Sequence, residues 1–176
     1  MARQIALLRG INVGGSKKVE MARLRDVFAG LGHSDVKTYV NSGNVVFSGR
    51  RTTAAKVEAA IAQEFGFDIP VVLRTRDELA AVVAANPLRD VAANPSRYLV
   101  LFSGGGAIDP AKAEGVTGGE GESYKIVGHE AYLWLPDGIH ASPLVKGLTE
   151  KRLGVAPLTG RNWRTVEKLL ALADDV

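Results

Sequence analysis

The sequence has no cysteine, which excludes a disulfide framework, a thiolate nucleophile and thiolate ligation of a metal. Its three histidines, His33, His129 and His140, lie at no metal-ligand spacing, so neither a metal nor another cofactor is expected. No apolar run approaches the roughly 20 residues that a membrane-spanning helix needs. The first residues enter a strand-like pattern directly, with no signal-peptide core, and a cytoplasmic protein away from membranes is expected. Ser142 stands in no nucleophile elbow, and no two acids stand at a motif spacing for acid–base work. Aromatic residues make up only 6% of the chain. The first half offers Phe47 alone where an RNA-recognition sheet would carry its stacking rings, and sheet-face RNA binding is not expected.

What is present is a chain of 176 residues, 46% hydrophobic, which is enough for one domain or two small ones. The net charge of +3 is unevenly placed. Residues 1–76 hold 12 Lys and Arg against 6 Asp and Glu, or +6, and the remainder holds 10 against 13, or −3. A basic first half points to anionic partners, with solvated helix faces as the plainer explanation.

Gln4 to Leu8 is apolar on both alternating faces, as in a strand covered on both sides. Met21, Leu24, Val27, Phe28 and Leu31 recur at helical spacing and stop at Gly32. Val36–Val40 and Val45–Ser48 flank Asn41-Ser-Gly-Asn44, a hairpin turn. Val57, Ile61 and Phe65 mark a second helix ending at Gly66, and Pro70–Arg74 a short strand. The order β-α-β-β-α-β predicts a ferredoxin-like unit over 1–76. Thr75-Arg-Asp-Glu78 has the form of a capping box. The helix it opens and an Asn-Pro-rich linker occupy 77–96.

The pattern then repeats over 97–176, with strands at Tyr98–Phe102, Tyr124–Val127 and Ala131–Leu135. Asp109-Pro110 caps a short helix, Ser142-Pro143 opens another, a fourth strand is expected at Ala156–Leu158, and a last helix begins near Asn162. The fold expected is α+β: two ferredoxin-like halves with antiparallel sheets, the second less regular. Strands apolar on both faces require cover, supplied by the other half or by a homodimer partner, so a monomer and a homodimer both stay open.

Gly10-Ile-Asn-Val-Gly-Gly-Ser-Lys-Lys18 has the makings of a phosphate cradle. Glycines let backbone N–H groups approach a ligand, a helix N-terminus follows, and Lys17 and Lys18 add charge. It is neither a Walker A motif nor G-x-G-x-x-G. An ordinary glycine-rich turn is the plain alternative. In a β-α-β-β-α-β sheet the third strand pairs with the first, which brings Asn41, Ser42 and Asn44 to the edge that carries Arg9, Gly10, Asn12, Gly14, Gly15 and Lys18. In the second half, Leu135-Pro-Asp-Gly-Ile139 should meet Thr159-Gly-Arg-Asn-Trp163. Arg161 and Trp163 there could stack on a base and Asn162 could cap the last helix, with Trp163 as a core anchor the plainer role.

Four of these stretches together resemble a bacterial family known as domain of unknown function sixteen-ninety-seven. They are Leu7–Gly15 with Lys18 and Met21, Thr38–Phe47, Leu135–Ile139 with Ser142, and Arg161–Trp163 with Thr165. The resemblance covers essentially the whole chain and implies two ferredoxin-like halves. It implies no activity, substrate or catalytic residue. The family pattern often has Ala or Ser where Gly160 stands, and Asn or Lys where Ser16 stands. Three functional readings follow: a binder of a phosphate-bearing small molecule or nucleic acid, an enzyme on a small anionic substrate at the same edge, and a non-catalytic scaffold.

Overall fold

The computed structural model describes residues 2–175. Two compact units divide the chain, one of Met1–Ala80 with Lys168–Val176 and the other of Ala81–Glu167. In the first, β1 (Ala2–Leu8), α1 (Met21–Gly30), β2 (Ser34–Tyr39), β3 (Asn44–Gly49), α2 (Ala54–Phe65) and β4 (Val71–Thr75) follow in order. The strands form an antiparallel sheet ordered β2-β3-β1-β4, the ferredoxin-like arrangement.

Each helix buries residues one turn apart, Leu24 and Phe28 on α1, Val57 and Ile61 on α2. These pack with Ala6, Leu8, Val45, Phe47 and Val71 on one face of the sheet. The alternate residues Ile5, Leu7, Val46 and Val72 are equally buried, so both faces of this sheet are out of water. Thr53 caps α2 by accepting from the Lys56 N–H, and Gly66 ends it in the left-handed conformation at φ 83°. The capping box forms as read: Thr75 N–H donates to Glu78 Oε1 at 2.9 Å, and Glu78 N–H to Thr75 Oγ1 at 3.1 Å. It opens α3 (Arg76–Ala85).

The second unit repeats the order. It contains β5 (Tyr98–Ser103), a 3-10 turn (Pro110–Ala113), β6 (Ser123–Val127), β7 (Glu130–Trp134), α4 (Pro143–Gly147), α5 (Glu150–Leu153), β8 (Leu158–Asn162) and α6 (Trp163–Asp174). The sheet order β6-β7-β5-β8 is the same permutation. The irregularity lies in the helices. The first is a single 3-10 turn, capped by Asp109, and the second is split into two pieces of 5 and 4 residues, each with its own Ser or Thr cap.

One expectation is corrected. The fourth strand runs over Leu158–Asn162 rather than Ala156–Leu158, so Thr159 and Arg161 lie inside a strand and are buried. Residues 86–96 turn back onto the second sheet. The Tyr98 hydroxyl donates to Asn86 Oδ1 at 3.0 Å and accepts from Leu88 N–H.

The last turns of α6 belong to the first unit. Arg3 donates to the Leu172 and Ala173 carbonyls, which a helix C-terminus leaves unpaired. Arg76 grips Asp174 at 2.7 and 3.2 Å and holds that carboxyl below the usual carboxylate range.

Candidate functional site

The segment after β1 is a small hairpin. Ser16 N–H donates to the Val13 carbonyl at 3.2 Å, and Asn12 N–H to the Lys17 carbonyl at 3.2 Å. Between them Gly14 and Gly15 have φ of 60° and 78°, the pair of positive values that a type I′ turn requires. The motif Asn-Val-Gly-Gly-Ser-Lys therefore closes on itself as a finger, exposed from residue 12 to 18. Val13 at its tip is 66% exposed.

The finger is clamped at its base by Asn12. Its Oδ1 accepts from Val19 N–H at 2.9 Å, and its Nδ2 donates to the Val19 carbonyl at 3.0 Å and the Asn41 carbonyl at 2.8 Å. Asn12 itself has φ 54°, a conformation that asparagine tolerates better than other side chains. The Lys17 ammonium donates to the Asp68 carbonyl at 3.1 Å, a second strut.

The β2–β3 turn meets this base. Leu8 N–H donates to the Gly43 carbonyl at 2.8 Å. Gly43 has φ 90°, and a Cβ there would stand 2.7 Å from Leu8 Cβ and 2.8 Å from Ile11 Cδ1, so only glycine fits. Asn44 is fully buried, its Nδ2 donating to the Tyr39 carbonyl and Ser42 Oγ. Val40 holds φ 51° and is 52% exposed, an unusual conformation for a β-branched residue.

Between finger and turn lies an open groove of about 560 Å³ lined by Asn12, Gly15, Lys18, Glu20, Met21 and Asn41, with Val19. Lys18 is exposed and has no hydrogen-bond or ion-pair partner among the described residues. Glu20, the N-cap of α1, makes no side-chain cap hydrogen bond, and the helix opens onto the groove at Met21. Arg9 and Gly10 are exposed beside it, and Ser42 lies at the tip of the neighbouring turn. The two loops that the sequence places at one edge do meet, Asn12 donating to the Asn41 carbonyl and Leu8 N–H to the Gly43 carbonyl. Sequence reasoning missed Glu20 and Met21 as lining residues, whose one signal was their place at the start of the helix.

In the second half the structure assigns other tasks to the candidates. Trp163 is buried and stacks on Tyr98, centroids 4.8 Å apart at 23°, with Tyr132 at 6.4 Å. Burial pushes the Tyr98 hydroxyl up to about 12 and Tyr132 higher still. Arg161 is buried, its Nη1 donating to Thr159 Oγ1 and to the Gly160 carbonyl at 2.8 Å each. Desolvation draws its guanidinium down to about 10, still a cation at neutral pH. Neither Trp163 nor Arg161 offers a face for stacking on a ligand: both are core. Asn162 is the expected cap, its Oδ1 accepting from Thr165 N–H at 2.9 Å.

Fold and site together define a tandem ferredoxin-like α+β protein with a glycine-tipped hairpin finger at the end of its first strand. Residues 1–132 match a family described as a protein of unknown function, DUF1697, and the chain belongs to that family. Its structure is similar to one described as that of conserved bacterial protein SP0830 from Streptococcus pneumoniae. The two share 26% identity over 98% of each chain, with a TM-score of 0.75. No curated protein matches the chain. Among the described residues no helix is long and apolar enough to cross a membrane.

Proposed function

We propose that the groove between the finger and the β2–β3 turn binds a phosphate-bearing ligand, a nucleotide or a nucleic acid. The observation that carries this reading is Lys18, an exposed ammonium without a partner among the described residues, which lines the groove with Gly15 and with the start of α1, where the N-cap Glu20 makes no side-chain cap hydrogen bond. Exposed backbone, a helix N-terminus and a free cation are complementary to phosphate oxygens. The basic balance of residues 1–76 adds a long-range attraction. Glu20, on the groove wall, opposes an anion and weakens the site by its charge.

An enzyme at the same edge has less support. Of Asn12, Asn41 and Asn44, the groups that would position a substrate, Asn12 and Asn44 have their amides hydrogen-bonded to the protein's own turns. One feature favours an interaction protein, the exposure of Val13 and Val40 on adjoining tips.

The test is calorimetric titration with inorganic phosphate, a mononucleotide and a single-stranded oligonucleotide, on the native chain and two variants. Lys18→Ala should weaken binding about tenfold at low salt and flatten its salt dependence, and Glu20→Gln should strengthen it. Equal affinity for all three proteins would remove the groove from consideration.

A further inference from the structure

Two open sheets have four edges, and three of them are interrupted by side chains or by irregularity. On β4 the outward-facing groups are those of Val71, Leu73 and Thr75, because Val72 and Arg74 face β1 in the ladder that Arg9 N–H and the Pro70 carbonyl continue. Val71 N–H donates to Glu58 Oε1, the Leu73 carbonyl accepts from Arg74 Nη1, and Thr75 N–H donates to Glu78. The equivalent edge of β8 is interrupted by the same means. Leu158 N–H donates to Glu150 Oε2, and the Gly160 carbonyl accepts from Arg161 Nη1. The edge of β2 is broken by a register shift between Ser34 and Lys37, with Asp35 at φ 49° and its carbonyl accepting from Arg3.

The fourth edge, β6, has none of these devices. Ser103 N–H donates to the His129 carbonyl and Leu135 N–H to the Arg97 carbonyl, which fixes Ala131 and Leu133 as facing β5. Glu130, Tyr132 and Trp134 therefore face β6 and pair with Val127, Lys125 and Ser123. The N–H and C=O groups of Tyr124 and Ile126 point away from the sheet, and none of the four has a partner among the described residues. The strand contains no proline and no bulge, and Val127 at its end is 43% exposed.

We propose that β6 accepts an extended segment of another protein as a fifth, antiparallel strand, and that this segment carries an acidic residue between apolar ones. Lys125 selects that occupant. It is exposed and sits between the two outward-facing residues, at the centre of the free edge. A second copy of this chain pairing about that centre would set Lys125 opposite its own equivalent, with like charges in direct contact. A carboxylate opposite Lys125 reverses the sign. The residues opposite Tyr124 and Ile126 would extend the helix-covered face, where both side chains already pack against the core, and are therefore apolar.

The probe is a fluorescein-labelled pentapeptide, Val-Ile-Glu-Val-Thr, titrated into the full chain and followed by anisotropy. Saturable binding is expected, weakened about tenfold by Lys125→Glu and restored in that variant by the peptide with Lys in place of Glu. N-methylation of the peptide's Ile, whose N–H would meet the Ile126 carbonyl, should abolish binding without touching a side chain. Ile126→Pro removes an N–H that no ladder bond uses and should block binding, although losing the Ile126 side chain from the core lowers the melting temperature; Ile126→Val, which keeps the N–H and most of the packing, should still bind. Equal binding of the Glu and Lys peptides, tolerance of N-methylation, or no binding at millimolar peptide would each overturn the proposal. So would a sedimenting dimer that Ile126→Pro dissociates, because the edge would then belong to a second copy.

Discussion

Asn12 is the residue on which the finger's position depends, and replacing it separates structure from ligand contact. Three hydrogen bonds of 2.8 to 3.0 Å join its amide to Val19 and Asn41. At about 1 kcal/mol each, reduced by the exposure of the site, their loss in Asn12→Ala costs about 2 kcal/mol. Holding alanine at φ 54° adds about 1 kcal/mol, which Asn12→Gly does not incur. Asn12→Asp is the sharper variant. It keeps the acceptor for Val19 N–H but turns a carboxylate oxygen toward the Val19 and Asn41 carbonyls, where the native amide donates. That repulsion raises the new carboxyl's pKa in the folded chain. The lost stability should then return as the pH falls and the carboxyl regains a donor proton. Urea unfolding of the three variants at pH 7, and of Asn12→Asp at pH 4 to 7, measures this. The reasoning fails if Asn12→Asp is as stable as the native chain at pH 7, or if alanine and glycine cost the same.

Other consequences follow from single sites. Gly43→Ala drives a Cβ into Leu8 and Ile11 at a φ of 90° and should destabilise by about 3 kcal/mol, read by denaturant midpoint. His33 is buried against Phe47 at 4.6 Å with Nδ1 unpartnered; desolvation lowers its pKa, against the opposing pull of the Ser48 backbone. Below pH 6.5 the unfolded chain therefore binds the proton first. Stability should fall from there down to the folded pKa at up to ~1.4 kcal/mol per pH unit, and His33→Leu should abolish that slope. Trp163→Ala should cost about 3 to 5 kcal/mol by urea unfolding, while phosphate binding at the first-half groove survives wherever the variant remains folded.

The fold was legible where local chemistry and periodicity agreed. Leu24 and Phe28, Val57 and Ile61, the Thr75–Glu78 box and the Asn162 cap each specify an element by rules that need no tertiary knowledge. Legibility failed where burial overrode residue type. Arg161 sits inside β8 and out of water, so a strand written Leu-Thr-Gly-Arg-Asn lacks the apolar signal, which falls on Ala156–Leu158 instead. The finger was hidden for a different reason. In the sequence Gly14-Gly15 reads as part of a phosphate cradle or of an ordinary glycine-rich turn, and nothing local says that Val13 and Ser16 close across it. The convergence of Asn12 on Asn41 was readable because topology alone, through the pairing of β1 with β3, forces it. That both amides of Asn12 and Asn44 are occupied by backbone and hydroxyl partners was not, since hydrogen-bond accounting needs coordinates.

The most direct test of the groove as a phosphate site is a two-dimensional amide NMR titration of the isotopically labelled chain with phosphate, a mononucleotide and an oligonucleotide. Saturable shifts concentrated at Gly14, Gly15, Lys18, Met21 and Asn41 are the predicted result. Shifts confined to other surfaces, or none with any of the three at millimolar concentration, would contradict it.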